Sequence, residues 1–179
     1  LEDDKYSALK EHAQLSLVKD LTKNNDVIVL ATPWSGTEAA IESLGEELDG
    51  KILVDCTNPL KPDLSGLLLC GDTSGGEQVA KWAKGATVVK AFNTTGFNIM
   101  KDPEINGQRT AMMVASDDVD ARQTVLSLAE DIGFDAVDFG GLASSRLLEP
   151  YALVWISLAY KHGLGRDFGF AIHKKGSKA

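Results

Sequence analysis

Three short stretches of this 179-residue chain carry groups suited to holding a small molecule: Ala31-Thr32-Pro33-Trp34, Asn58-Pro59 and Lys90-Ala91-Phe92-Asn93-Thr94. Each closes a β-branched apolar run, over residues 27–31, 51–55 and 87–92. In an open parallel sheet, ligands bind just beyond the carboxyl ends of the strands, so three such ends make much of a binding floor. Pro33 fixes a turn, Thr32 offers a hydroxyl, and the Asn58 amide both donates and accepts. A lysine inside a buried strand, as Lys90 is predicted to be, is either paired or reaching a site.

Other chemistries find no support. His12, His162 and His173 are scattered, and no Ser/His/Asp set, paired carboxylates or metal-type cluster stands out. Cys56 and Cys70 lack metal spacing or a disulfide framework, which fits a reducing cytosol, and Cys56 reads as a small core residue at a strand end. Gly163-Leu-Gly165 follows a helical run and reads as a stop and a turn. Gly71 and Gly76 have P-loop spacing, but Glu77-Gln78 stand where lysine and a hydroxyl residue would contact phosphate and metal. A net charge of −8 argues against nucleic-acid or anionic-membrane partners, and no run reaches the ~20 apolar residues of a spanning helix. The partners expected are small molecules and the compartment the cytoplasm.

The elements that would position the three stretches alternate between strand and helix. A helix tail over 6–11, a strand over 12–15 and a helix from an N-cap at Ser16 to about Asn24 precede the strand 27–31, whose unbroken apolar run suits burial on both faces. Ala39, Ala40, Ile41, Leu44 and Leu48 recur at helical spacing until Asp49-Gly50. After the strand 51–55, Asn58-Pro59 and Pro62-Asp63 force a loop to Gly71, and Ser74 with Glu77 opens a helix at capping-box spacing. The strand 87–92 follows, then an irregular 97–108, a strand 110–115, a helix 119–132 stopped by Gly133, and a strand 135–139. This rhythm predicts an α/β fold with a doubly wound, mainly parallel sheet in one domain over 1–179. Residues 145–162 form a long C-terminal helix, apolar on most faces and interrupted by Pro150, whose burial falls to its own sheet or to a partner subunit. The basic tail 173–179 is expected to be disordered.

Taken together and in order, Asp26-Val-Ile-Val-Leu-Ala-Thr-Pro-Trp34, Asp55-Cys-Thr-Asn-Pro-Leu60, Thr73-Ser-Gly-Gly-Glu77, Lys90-Ala-Phe-Asn-Thr94-Thr95 and Arg146-Leu-Leu-Glu-Pro150 resemble NADPH-dependent reductases of the coenzyme F-420 type, to which the reductase domains of membrane metalloreductases are related. The resemblance spans nearly the whole chain. It implies a Rossmann-like dinucleotide-binding domain and hydride transfer between NADP(H) and a second redox molecule, a deazaflavin, a flavin or a similar small acceptor. Such chemistry needs orientation and water exclusion more than protein acids or bases.

Carried over residue by residue, the resemblance places Ala31, Thr32, Pro33 and Trp34 at the pyrophosphate, ribose and nicotinamide side, and Asn58 and Pro59 by the nicotinamide ribose. Lys90, Ala91, Phe92, Asn93 and Thr94 would line the nicotinamide and substrate pocket, with Asn93 on the carboxamide. Ser74 and Glu77 are explained as well by helix capping and stay outside the predicted site. The family's Gly-rich turn and its flanking strands have no counterpart before residue 27, so the fold is expected to be N-terminally incomplete, with an open apolar edge on the strand 27–31. The alternative is a non-catalytic domain of the same fold acting through its surface or as an oligomer. A homodimer through the C-terminal helix is compatible with either reading.

Overall fold

Alternating side chains on three parallel strands decide how the sheet is covered. In the computed structural model, β1 (Val27–Leu30), β2 (Ile52–Asp55) and β3 (Thr87–Lys90) lie in the order β1-β2-β3, all parallel and in register. Leu53 and Val88 face one side, packing with Ile28 and Leu30 against the helices α1 (Trp34–Leu44) and α2 (Gly75–Trp82). Val54 and Val89 face the other, where they meet Val125 and Ala129 of α3 below Met112, Val114 and Phe134. Here α3 denotes Val119–Ile132, which starts at its Asp118 cap, with Oδ1 2.8 Å from the Ala121 N–H, and stops at Gly133, φ 112°. A period of two in the strands thus gives a helix-covered face on each side. The structure describes residues 22–175 together with 13, 17 and 20.

The sheet is extended in the opposite sense. Strands β6 (Ala111–Val114) and β7 (Asp135–Asp138) are parallel to each other, and β6 meets β3 antiparallel through a reciprocal pair, Lys90 N–H to Ala115 O at 2.8 Å and Ala115 N–H to Lys90 O at 3.0 Å. The stretch expected to be irregular holds a short helix, Phe97–Lys101, and a hairpin of β4 (Glu104–Ile105) with β5 (Gln108–Arg109). Asn106 and Gly107, at φ 53° and 76°, supply the two left-handed residues that a tight hairpin turn needs.

Three expectations need correction. Val29 is 55% exposed, so the second face of β1 is only partly covered: the helices reach Ile28 and Leu30 on one face, while on the other Val27 is half-buried against the core and Val29 is left open. Residues 22–24 form a bend and turn where the helix from Ser16 was to end, and the rest of the segments expected over 6–11, 12–15 and 16–21 lies outside the described residues except at 13, 17 and 20. The C-terminal helix, α4 (Ser145–Tyr160), runs through Pro150 but is not buried all round. It lays Leu148, Ala152, Trp155 and Ala159 on the body and leaves Leu147 at 65%, Val154 at 50% and Tyr160 at 57% exposure. No helix is long and apolar enough to cross a membrane among the described residues.

Past α4 the chain turns at Gly163 and Gly165 and runs back over the short helix Phe97–Lys101. Phe168 stacks on Trp155 at 5.2 Å, Phe170 packs on Tyr151 at 4.8 Å, and Asp167 accepts from the Asn98 amide. Phe170 O also accepts from the Ala111 N–H at 2.8 Å, so this strand-like segment is tied to β6. Positions 176–179 of the basic tail lie outside the described residues.

Candidate functional site

The ends of β1, β2 and β3 open into one cleft of about 680 Å³. Ala31, Thr32, Pro33 and Trp34 form one wall, Asn58 the floor, and Phe92 and Asn93 the opposite wall. A volume of this order holds a cofactor ring and part of a second molecule. Helix α1 begins at the rim with Pro33 as N-cap and no side-chain cap. The Thr32 hydroxyl lies 3.1 Å from that of Thr37, which donates back to Pro33 O, so the turn is braced from within the helix.

Asn58 and Asn93 join the floor to the wall. Asn58 Nδ2 donates to Asn93 O at 2.9 Å, and Asn93 Nδ2 donates to Asn58 Oδ1 at 3.0 Å and to Leu148 O at 3.3 Å. Asn93 Oδ1 and Thr95 Oγ1 are buried without a partner. A buried acceptor left open beside a cleft is a vacancy that an amide N–H fills well. Phe92 stands at φ 59° and Leu64, also on the lining, at φ 56°. Left-handed geometry is costly for a bulky residue, about 1–3 kcal/mol, and surrounding contacts must impose it. At Phe92 they are the Met112 sulfur, which accepts from its N–H at 3.2 Å, and the Phe134 ring at 6.2 Å.

Four of the predicted residues stand behind the lining. Pro59, Ala91 and Thr94 are buried next to it, and Lys90 is completely enclosed. Its ammonium donates to Asp55 Oδ2 at 2.9 Å and Thr57 O at 2.6 Å and forms an ion pair with Glu149 Oε1 at 2.9 Å. Glu149, from α4, also accepts from the N–H groups of Gly75 and Gly76 at 2.8 and 2.9 Å, supplying acceptors to two orphan donors at the start of α2. The approach requires glycine: a Cβ on Gly76 would sit 2.5 Å from Ser145 Oγ. Burial alone would push the Lys90 ammonium down, but Asp55 and Glu149 outweigh it and hold it above its ordinary range.

Ser74 caps α2, its Oγ accepting from the Glu77 N–H at 3.2 Å, and Glu77 forms a two-pronged pair with Arg146 at 2.8 and 2.6 Å. The Arg146 guanidinium holds the Glu77 carboxyl below its usual range.

Further lining residues come from outside the predicted site, most of them from stretches read as loop or irregular. Cys56 and Thr57 continue β2, Leu60, Lys61, Leu64 and Leu68 come from the crossover to α2, and Phe97 and Met100 from the short helix. The length of that crossover was the available signal, since connections beyond about 12–15 residues without an element are uncommon and often functional. Burial pushes the half-buried Cys56 thiol up to about 12, helped by Asp55 and opposed by Lys90. Iodoacetamide at pH 8 is therefore expected to label exposed Cys70 at least ~100-fold faster than Cys56, read by peptide mass spectrometry; equal rates would contradict the buried placement.

Comparison with known proteins bears on this geometry. A sequence profile described as NADP oxidoreductase coenzyme F420-dependent matches residues 2–59. The F420-dependent NADP reductase of Methanocaldococcus jannaschii is 34% identical over 149 residues, which is 80% of this chain and 66% of that protein. Its counterpart in Methanothermobacter marburgensis is 32% identical over 155 residues, 82% of this chain and 68% of that protein. Metalloreductase STEAP3 of Rattus norvegicus is 31% identical over 141 residues, 79% of this chain and 28% of that protein. A solved structure from Arthrobacter sp. FB24, assigned to the F420-dependent NADP-reductases, superposes with a TM-score of 0.84 at 30% identity, over 95% of this chain and 79% of that one. The chain thus spans about two thirds of the archaeal relatives and little more than a quarter of the metalloreductase.

Proposed function

The chain belongs to the coenzyme F420-dependent NADP oxidoreductase family, and from that premise we propose that it is an NADP-dependent oxidoreductase, a single Rossmann-like domain using the cleft between Trp34 and Phe92. When bound, NADPH would supply a hydride to a deazaflavin, flavin or similar small acceptor. The observation that carries this reading is the Asn58–Asn93 pair beside the open Asn93 Oδ1, a set of amide donors and acceptors with no acid or base among them. Asn93 receives the carboxamide, Asn58 and the neighbouring Pro59 border the ribose, and Ala31, Thr32, Pro33 and Trp34 close the other side. Phe92 and the Leu60–Leu68 rim exclude water from the reacting faces. Lys90, Ala91 and Thr94 support that lining from behind.

Calorimetric titration with NADPH and NADH, on this chain and on the full natural protein, tests the reading. Binding of NADPH by the full protein, with NADH at least ~10-fold weaker, is the expected result, because a 2′-phosphate is a strong charge-assisted anchor. Binding of neither nucleotide would overturn it and favour the non-catalytic alternative.

We also propose a cytoplasmic homodimer through the outward stripe of α4. Leu147 and Val154, seven residues apart on one helix face, are 65% and 50% exposed and form an apolar stripe that a second copy would cover. Sedimentation is expected to give twice the chain mass, falling to the single mass in Val154→Glu; a monomeric native protein would refute the dimer.

A further inference from the structure

The Lys90 cluster sets two carboxylates against one ammonium directly behind the cleft. Its members are fully enclosed: Lys90, Asp55 and Glu149 are at most 1% exposed. Every carboxylate oxygen in it faces a donor. Asp55 accepts from the Thr57 N–H and hydroxyl through Oδ1 and from Lys90 through Oδ2, and Glu149 accepts from Gly75, Gly76 and Lys90. The Lys90 ammonium lies 2.9 Å from an oxygen of each carboxylate and donates to Thr57 O at 2.6 Å. Two carboxylates and one ammonium leave a formal charge of −1, softened by the N-terminal end of α2. One carboxylate would pair the lysine; the second, Glu149, also serves the α2 N–H groups, and enclosing it adds a net negative charge with its desolvation cost.

The charge sits one residue behind the cleft. Thr57, bonded through its N–H and hydroxyl to Asp55 and through its carbonyl to Lys90, is itself on the lining between Cys56 and Asn58. We infer that Asp55 and Glu149, acting through the enclosed wall at Thr57, bias the cleft toward the cationic, oxidised nicotinamide over the neutral, reduced one. Preoriented charge in a low-dielectric wall acts without reorganisation as the ring becomes positive. This rests on the NADP(H) reading above and assigns two positioning residues that touch no ligand.

The test is the ratio of dissociation constants for NADP+ and NADPH, measured by calorimetry on the full natural protein. Glu149→Gln keeps one of the two acceptor oxygens facing the α2 N–H groups while removing one charge, and is expected to raise Kd(NADP+)/Kd(NADPH) roughly three- to tenfold. Asp55→Asn is expected to move the ratio in the same direction, and a merely structural role would weaken both nucleotides alike. An unchanged ratio in a variant that still binds overturns the inference. If both variants fail to fold, the wild-type ratio decides: NADP+ is expected to bind at least as tightly as NADPH, and a tenfold preference for NADPH overturns the inference. Failure of the native protein to bind either nucleotide would instead sink the reading it rests on.

Discussion

Replacing Lys90 with methionine is expected to lower the unfolding free energy by about 3–5 kcal/mol, because it leaves enclosed carboxylates without their counter-charge. Asp55 Oδ2 and Thr57 O would lose their donor, and Glu149 would keep only the two backbone N–H groups of α2. For a domain of this size that loss corresponds to a melting temperature lower by roughly 10 °C. Adding Asp55→Asn and Glu149→Gln to the same chain is expected to recover most of it, since a neutral cluster of the same shape has no unpaired charge. Thermal melts of the two variants check this, and a single variant within about 1 kcal/mol of wild type would contradict the enclosed geometry. The pH dependence has a definite sign. Burial pushes the ammonium down, the two carboxylates more than compensate, and its value in the fold lies above the ordinary 10.5. Its stabilisation is therefore fully present below about pH 10.5 and is lost as the pH rises through the raised value. Wild type is expected to lose stability in that alkaline range more steeply than Lys90→Met.

Asn93→Ala is expected to reduce kcat/KM for NADPH by about 100-fold while costing about 1–2 kcal/mol of stability. The Asn93 side chain donates to Asn58 Oδ1 and Leu148 O, and its removal leaves the floor amide held only through Asn58 Nδ2 to the backbone of residue 93. The end of β2 is then no longer tied to the wall after β3, and an ångström of play at the proposed hydride-transfer site is enough for a loss of this size. Steady-state kinetics with a deazaflavin acceptor measure it. A kcat/KM within threefold of wild type would remove Asn93 from the site, and an equal fall in Asn58→Ala would show the pair acting as a unit.

Much of the fold is legible because its periods are local. The runs 27–31, 51–55 and 87–92 announce strands, and all three appear, each shorter by one or two residues. The helix Val119–Ile132 coincides with its sequence reading because Asp118 and Gly133 cap it with side-chain and left-handed geometry. The exposure of Val29 was not legible, since an apolar run specifies a strand without saying what lies over each face. In the candidate cleft, Ala31 to Trp34, Asn58, Phe92 and Asn93 are brought together by three strand ends, a consequence of parallel topology. Lys90 shows the boundary of such reasoning. A lysine in a buried strand is either paired or reaching a site; Lys90 is paired behind the lining, and its partner Glu149, 59 positions away, reaches it only because Gly75 and Gly76 let α4 close on α2. Sequence spacing cannot show a contact made by the absence of side chains.

The segment that crosses back over Phe97–Lys101 gives the site a history in time. Asp167 holds Asn98 across 69 positions of chain, and Phe168 stacks on Trp155, which lies against Gly96. A ribosome adding roughly 5–20 residues per second delivers that segment some 3–14 seconds after the helix it pins. Until then the wall bearing Phe97 and Met100 lacks its outer support, so the nascent protein passes through a stage with strands formed and the pocket unfinished.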